Sequence, residues 1–366
     1  MSLTASPAPA RLPVALIGAG QIGRAHTRHA DAHPDVRVCG VADPSDDARQ
    51  WAQAQGLPWY ADPADLLDAV KPAAAIVATP NALHRDAALA CIDRGVPVLV
   101  EKPVADTLQA GLDIVRAGLR AGVPVMVGHQ RRHNPIAREA RRLVDEGVLG
   151  RPVAANVLAA WLKPDPYFNA AWRREKGGGP VLINLIHDVD LLRFLLGDVV
   201  SVQAQSSSAV RGFPVEDTAA VVMRMANGAL ATLLTTDTAA SPWNWDLAAG
   251  EAAHFPRQDI DSHTLMGTQG SLTLPRLSVW RYAGARGWHE RLTHTRSVPH
   301  TANPYDEQLR HLRAVAEGRE APLCSGLDGL RTLQATLAVL ASARTGSPEA
   351  VEPLVPGRHR QLRASQ

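Results

Sequence analysis

Leu12-Pro13-Val14-Ala15-Leu16-Ile17-Gly18-Ala19-Gly20-Gln21-Ile22-Gly23 is the stretch that decides the fold. A short apolar run opens directly into glycines spaced G-x-G-x-x-G, and a helix-compatible stretch, Arg24 to Ala32, follows. This is the turn of a dinucleotide-binding βαβ unit. Gly18 permits the tight turn, Gly20 lets the backbone approach a pyrophosphate, and Gly23 lets helix and strand pack closely. The free amides at the helix start, around Gln21 and Ile22, lie at the positive end of its dipole and face the phosphates. A second apolar run, Val36 to Val41, ends at Asp43, roughly 20 residues past the turn, where the fingerprint requires a ribose-binding acid. A carboxylate there accepts both ribose hydroxyls and repels a 2′-phosphate, so NAD is expected over NADP. The competing role for Asp43 is an N-cap ahead of Pro44-Ser45.

With 366 residues, 46% of them hydrophobic, the chain is long enough for two domains with ample cores. Lys plus Arg number 38 against 36 for Asp plus Glu, a formal charge of +2, which argues against nucleic acid or a polybasic membrane contact as partner. Cys39, Cys91 and Cys324 are widely spaced and odd in number, so neither a disulfide framework nor a thiolate metal site is expected, and a reducing cytoplasm fits. No apolar run reaches transmembrane length. Met1 to Arg11 is Ala/Pro/Ser-rich, lacks the layout of a signal peptide, and reads as a frayed terminus.

From Val14 to Gln130 short β-branched runs (Val14–Ile17, Val36–Val41, Ala74–Ala78, Val96–Val100, Pro124–Val127) alternate with helix-like stretches (Ser45–Gln55, Ala64–Val70, Ala82–Arg94, Leu108–Ala121). Continuous apolar strands between helices predict an α/β unit: a doubly wound parallel sheet of Rossmann type, covered on both faces. Right-handed crossovers put the strand C-termini along one edge, where ligands bind. Thr79-Pro80-Asn81 and His84 follow the third of these runs, either capping the next helix or meeting the nicotinamide ribose. Glu101-Lys102-Pro103 follows the next, and proline restrains Lys102 to an extended backbone beyond a buried sheet.

Past Gln130 the pattern changes. Val153–Leu162, Val199–Ser208, Asp217–Met225 and Ala229–Thr238 alternate like longer antiparallel strands, and Asn227-Gly228 signals a two-residue hairpin. Shorter strands are expected at Thr264–Met266, Ser271–Leu274 and Ser278–Tyr282, and closing helices at Tyr305–Glu317 and Leu327–Ala343. The expected division is a terminus over 1–11, a dinucleotide-binding domain over 12–130 and an α+β domain with a large, mostly antiparallel sheet over 131–366.

GAGQIG, ATPNALH and VEKP, in this order and spacing, resemble the Gfo/Idh/MocA family of oxidoreductases. Gly128-His129-Gln130-Arg131-Arg132, the Trp172-Arg173 pair and Gly177-Gly178-Gly179 through Leu192 extend the resemblance over nearly the whole chain. It implies a catalytic Lys102, a cis Lys102–Pro103 bond, and a homodimer or homotetramer packed through one face of the second sheet. It extends the expected cofactor contacts to Thr79, Pro80, Asn81, His84, Glu101, Lys102, Gln130, Trp172 and Arg173. His187 falls on the family's helix histidine, whereas the aspartate that many relatives carry one turn earlier is Ile183 here.

On a helix over Val181–Leu196, Asn184 and His187 share a face. The expected chemistry is hydride transfer to NAD from a sugar, polyol or related cyclic alcohol. His187 takes the hydroxyl proton and Lys102 polarises the oxygen. Asn184 and Arg173 hold substrate or nicotinamide oxygens. Trp243 and Trp245, with Trp161 and Lys163, either face a sugar ring or pack in the core or at a subunit contact. No metal is expected, because adjacent acids on a helix point different ways. NAD-dependent glycoside cleavage and a non-catalytic NAD-binding sensor are the alternatives the resemblance also allows.

Overall fold

The computed structural model describes residues 10–252 and 254–354, so most of the expected frayed terminus lies outside the described residues. Arg11, counted with it, is anchored: its Nε donates to the Val36 carbonyl at 2.8 Å and its Nη2 to the Ala30 carbonyl.

Six strands, β1 (Leu12–Ile17), β2 (Val36–Ala42), β3 (Trp59–Tyr60), β4 (Ala74–Val77), β5 (Val98–Val100) and β6 (Val125–Val127), alternate with α1 (Gln21–Ala32), α2 (Asp46–Ala54), α3 (Pro63–Val70), α4 (His84–Ile92) and α5 (Leu108–Ala121). They form one parallel sheet in the order β3-β2-β1-β4-β5-β6. β4, β5 and β6 are buried at every position, the reason they read as unbroken apolar runs. The strand order reverses between β1 and β4, which opens a crevice at their C-terminal ends. Side chains start the helices where expected: Ser45 accepts from the Ala48 amide and Thr107 from the Ala110 amide. β3 is too short to show an alternation and escapes the sequence pattern.

After α6 (Pro135–Asp145), a second sheet collects β7 (Pro152–Ala160), β8 (Val199–Ser207), β9 (Thr218–Met225), β10 (Leu230–Thr236), β11 (His263–Gly267), β12 (Gly270–Leu274), β13 (Ser278–Tyr282), β14 (Leu292–Arg296) and β15 (Glu349–Ala350). The order is β14-β13-β12-β11-β7-β10-β9-β8-β15, antiparallel except where β7 meets β10. Along β9, Ala219, Val221, Met223 and Met225 point inward and are buried, while Val222 points out. The inner face packs on α7 (Ile186–Leu196) and α10 (Gly326–Thr345); the outer face leaves Val153, Val222, Leu230 and Leu234 exposed. α8 (Trp245–Ala249) and α9 (Pro304–Ala316) complete the elements. The β9–β10 connection is longer than the two residues expected. Gly228 donates to the Met225 carbonyl at 2.9 Å and takes φ +88°, a turn closed by a left-handed glycine rather than a two-residue loop.

The last two long helices return to the first sheet. Leu309, Leu312 and Val315 of α9 join the core of Val14, Leu16 and Ile76, and α10 serves both cores, Leu330 and Leu333 in one, Ala335 and Val339 in the other. A buried ion pair ties the same elements together. Arg132, in the turn after β6, grips Asp190 of α7 with two hydrogen bonds of 2.8 Å and the Leu323 carbonyl with a third at 3.0 Å. Thr332 of α10 donates to Asp190 at 2.7 Å. Burial alone would raise the Asp190 carboxyl, but Arg132 holds it well below the ordinary carboxylate range. Asp190→Ala strands a buried guanidinium and is expected to cost about 3–5 kcal/mol, read as a lower urea midpoint; a loss below about 1 kcal/mol contradicts this role.

Candidate active site

The glycine turn is built for close approach. A side chain at Gly18 would meet the Ala78 and Thr79 backbone at 2.6 Å, and one at Gly23 the Gly18 carbonyl at 2.0 Å; at Gly20 nothing lies within 4 Å. Gly18 sits at φ +92°, where only glycine is at ease. No side chain caps α1 and no acid sits in its first turn, so the amides of Gln21 and Ile22 remain free for an anion. Asp43, half-buried, accepts from the Ala19 amide at 2.9 Å and from the Ser45 amide and hydroxyl at 2.9 and 2.7 Å. Burial raises its carboxyl, but these donors outweigh burial and hold it below its usual value. It is a charged edge at the end of β2; the cap of α2 is Ser45, not Asp43. Open space over Gly20, free amides and a carboxylate at the β2 end fit a dinucleotide.

At the next strand ends the expected contacts divide. Thr79 keeps a buried hydroxyl with no partner, and Pro80 and Asn81 are exposed at the following turn. His84 is turned inward, 2.8 Å from the Pro103 carbonyl and 2.9 Å from the Thr79 carbonyl; it bridges two loops instead of facing the crevice. Glu101 spends its oxygens on His26 of α1 at 2.7 Å and on the Lys102 amide at 3.1 Å. Gln130 opens the turn after β6, half-buried. Trp172 is exposed, and Arg173 stacks over Tyr167 at 4.0 Å while donating to the Tyr167 carbonyl at 2.7 Å. The glycine run ahead of the central helix makes room for protein: side chains at Gly178 and Gly179 would meet the Trp172 carbonyl and the Glu216 carboxylate, each at 2.3 Å.

Lys102 follows β5 through a cis bond to Pro103, the isomer the resemblance implies. Its Nζ donates to the Ile183 carbonyl at 3.2 Å, so the ammonium lies against the turn that leads into α7. That turn, Val181–Leu185, is a π-turn in which the Ile186 amide reaches back to Val181, a widening common at functional sites. His187 follows. Burial lowers its pKa well below the ordinary 6.5, with the charges of Lys102 and Arg131 adding to the effect; the ring is neutral and its Nδ1 is buried without a partner. Burial likewise lowers the Lys102 ammonium, opposed by Glu101. Asn184 accepts from Lys163 at 2.7 Å, joining two residues named separately from the sequence.

Beneath His187 lies a bed of charge that sequence reasoning did not assign. Arg131 donates to Asp188 at 2.6 Å and reaches Asp246 at 3.4 Å, and His263 Nε2 lies 3.2 Å from Asp188. His129 meets His187 edge to face at 6.2 Å. The signal was available: Gly128 to His133 places four cationic or imidazole side chains directly after a buried strand. Trp245 belongs to this bed, 1% exposed and 5.6 Å from the Arg131 guanidinium, and so supports the site from behind instead of presenting a face to a ligand. Trp243 is exposed, and Trp161 leans on Phe255 at 5.6 Å. Asp188 and Asp190 are both engaged by arginines.

Asp43→Ala is expected to weaken NAD about ten-fold or more while narrowing the preference over NADP, measured by titration of both cofactors; an unchanged ratio removes Asp43 from ribose recognition.

Comparison with known proteins identifies the family. Residues 12–129 match the family described as "Oxidoreductase family, NAD-binding Rossmann fold", and residues 137–273 match the GFO/IDH/MocA C-terminal domain. The chain is 31% identical over 284 residues to 1,5-anhydro-D-fructose reductase of Ensifer adhaerens, covering 76% of this chain and 80% of that one. It is 30% identical over 349 residues to inositol 2-dehydrogenase 2 of Saccharopolyspora erythraea, covering 93% and 95%. The WlbA dehydrogenase of Bordetella pertussis, solved with NADH and UDP-GlcNAcA, shares the fold with a TM-score of 0.76 at 24% identity, over 94% of this chain and 100% of that one. The chain belongs to the Gfo/Idh/MocA family of NAD-binding oxidoreductases.

Proposed function

We propose that this protein oxidises a secondary hydroxyl of a sugar, polyol or related cyclic alcohol, with His187 as acid/base and Lys102 as the group that polarises the oxygen. One observation carries the reading: the Lys102 ammonium lies 3.2 Å from the Ile183 carbonyl, one turn ahead of a neutral His187. The relatives named for inositol and anhydrofructose support the substrate class. NAD supplies the hydride acceptor.

The protein's own groups do the rest. A neutral imidazole is in the base form at pH 7 and takes the hydroxyl proton as the C–H bond breaks, a contribution worth about 10² to 10⁴ in rate. The proton is then held on a ring whose charge burial and Lys102 disfavour, so it leaves readily, or returns to the oxygen when a ketone is reduced. Lys102 donates to the same oxygen and stabilises the charge that develops on it. Arg131 and Asp188 keep α7 in register below the reacting groups. Arg173, stacked on Tyr167, and Trp161, at the end of β7, supply a donor and an apolar face for a ring substrate. The exposed apolar residues on the outer face of the nine-stranded sheet suit packing between copies as a homodimer or homotetramer, and free cysteines suit a reducing cytoplasm.

The test is absorbance at the reduced-nicotinamide band across a panel of sugars and polyols with NAD. Lys102→Ala and His187→Ala are expected to lose about 10² to 10⁴ in turnover with NAD affinity kept. Full turnover in both variants refutes the roles, and product release from glycosides without accumulation of reduced cofactor replaces net oxidation by glycoside cleavage.

A further inference from the structure

The amide of Asn184 faces a lysine, which decides what the amide can offer a substrate. Lys163, just past the end of β7 and 6% exposed, brings its Nζ to 2.7 Å from Asn184 Oδ1. An ammonium has three donors and no acceptor, so the amide must turn its oxygen to Lys163 and its NH2 the other way. Asn184 lines a niche with Trp161, Ala159, Asn244 and Arg131, and among the described residues its nitrogen makes no hydrogen bond to protein. The preceding residue, Ile183, offers its carbonyl to Lys102. The position where the resemblance places an aspartate is Ile183, so this turn carries no carboxylate there, and Asn184 offers a donor instead.

Resting on the reading that this cleft holds a sugar or polyol derivative, we propose that Lys163 is a positioning residue: by taking the Asn184 oxygen it makes Asn184 an obligate donor beside Lys102. The cleft then offers an N–H donor to a substrate oxygen, a hydroxyl, carbonyl or carboxylate oxygen, next to the reacting carbon.

The surroundings of Lys163 make this orientation sensitive to pH. Asp237 lies 3.6 Å from Nζ and is itself held by Arg211 at 2.9 Å; Arg211 also donates to the Lys163 carbonyl at 2.9 Å, and the Tyr167 ring lies 4.7 Å from Nζ. Glu216, on the segment before β9, and Lys102 are the other charges that interact with it. Burial lowers the ammonium most, Asp237 opposes, and Arg211 and Lys102 lower it further, to about 8. Above that pH the deprotonated amine no longer demands the amide oxygen.

The experiment has two arms on the cofactor-loaded protein. In the first, the side-chain amide resonance of Asn184, assigned by its loss in Asn184→Asp, is followed through pH about 8: it is expected to move in the wild type and to stay put in Lys163→Met and Lys163→Arg. In the second, 2-keto-inositol is bound to the NADH-loaded protein. Lys163→Met is expected to weaken binding about ten-fold or more, Lys163→Arg to restore it and abolish the weakening above pH 8, and Lys163→Met on the Asn184→Asp background to add less than about two-fold. NADH affinity unchanged in Lys163→Met and Lys163→Arg reports intact folding. An amide resonance that ignores pH in the wild type, or losses that multiply in the double variant, overturns the positioning role. A resonance that titrates as expected, with no inositol-type probe bound, supports it and instead removes the sugar or polyol reading.

Discussion

An ammonium that pairs with a backbone carbonyl and with no carboxylate among the described residues is the constraint on which this site depends. Lys102 is delivered by the parallel sheet and received by the turn ahead of α7, so the two sheets must stand in one fixed relation for it to land there. A charge in that setting is costly, and it acts on its neighbour: added to burial, it disfavours a proton on His187 and keeps the imidazole in the form that can accept one. Geometry and electrostatics are one arrangement here. A shift of α7 by one turn would lose both.

The frame around this meeting is correspondingly stiff. Arg131 and Arg132, consecutive in the turn after β6, hold Asp188 and Asp190 of α7 through buried hydrogen bonds. Such pairs add little net stability compared with apolar packing, but they are directional and fix the orientation of α7 against the turn after β6. α10 adds the apolar half of the connection, placing Leu330 and Leu333 in one core and Ala335 and Val339 in the other. The site thus lies at a seam closed by both packing and charge, not on a free loop.

Much of this was legible in the chain. The glycine spacing after β1, the buried runs of β4 to β6 and the alternation of β9 are local patterns, and each set its element directly. Lys102 and His187 were named from the resemblance together with a strand end and a helix face, and the fold places the Lys102 ammonium on the carbonyl of Ile183, one turn before His187. The misses are of a different kind. Whether Trp245 meets a ligand or supports Arg131 depends on what packs over it, and nothing in Trp243-Asn244-Trp245 distinguishes the exposed ring from the buried one. His84 bonds two carbonyls that belong to different loops. Lys163 and Asn184 stand 21 residues apart, and only the fold makes their contact. The return of α9 to the first sheet is likewise a long-range event, invisible to a reading that divides the chain at one boundary.

The central claim is that burial, with the Lys102 ammonium adding to it, holds His187 neutral. Its most direct measurement is the titration of the His187 ring by NMR in the NAD-loaded protein, beside Lys102→Met. The account predicts a ring that stays neutral from pH about 6 to 8 in the wild type, with a pKa that rises when the ammonium is removed. A His187 that titrates near its ordinary 6.5 and does not respond to the loss of Lys102 would contradict it.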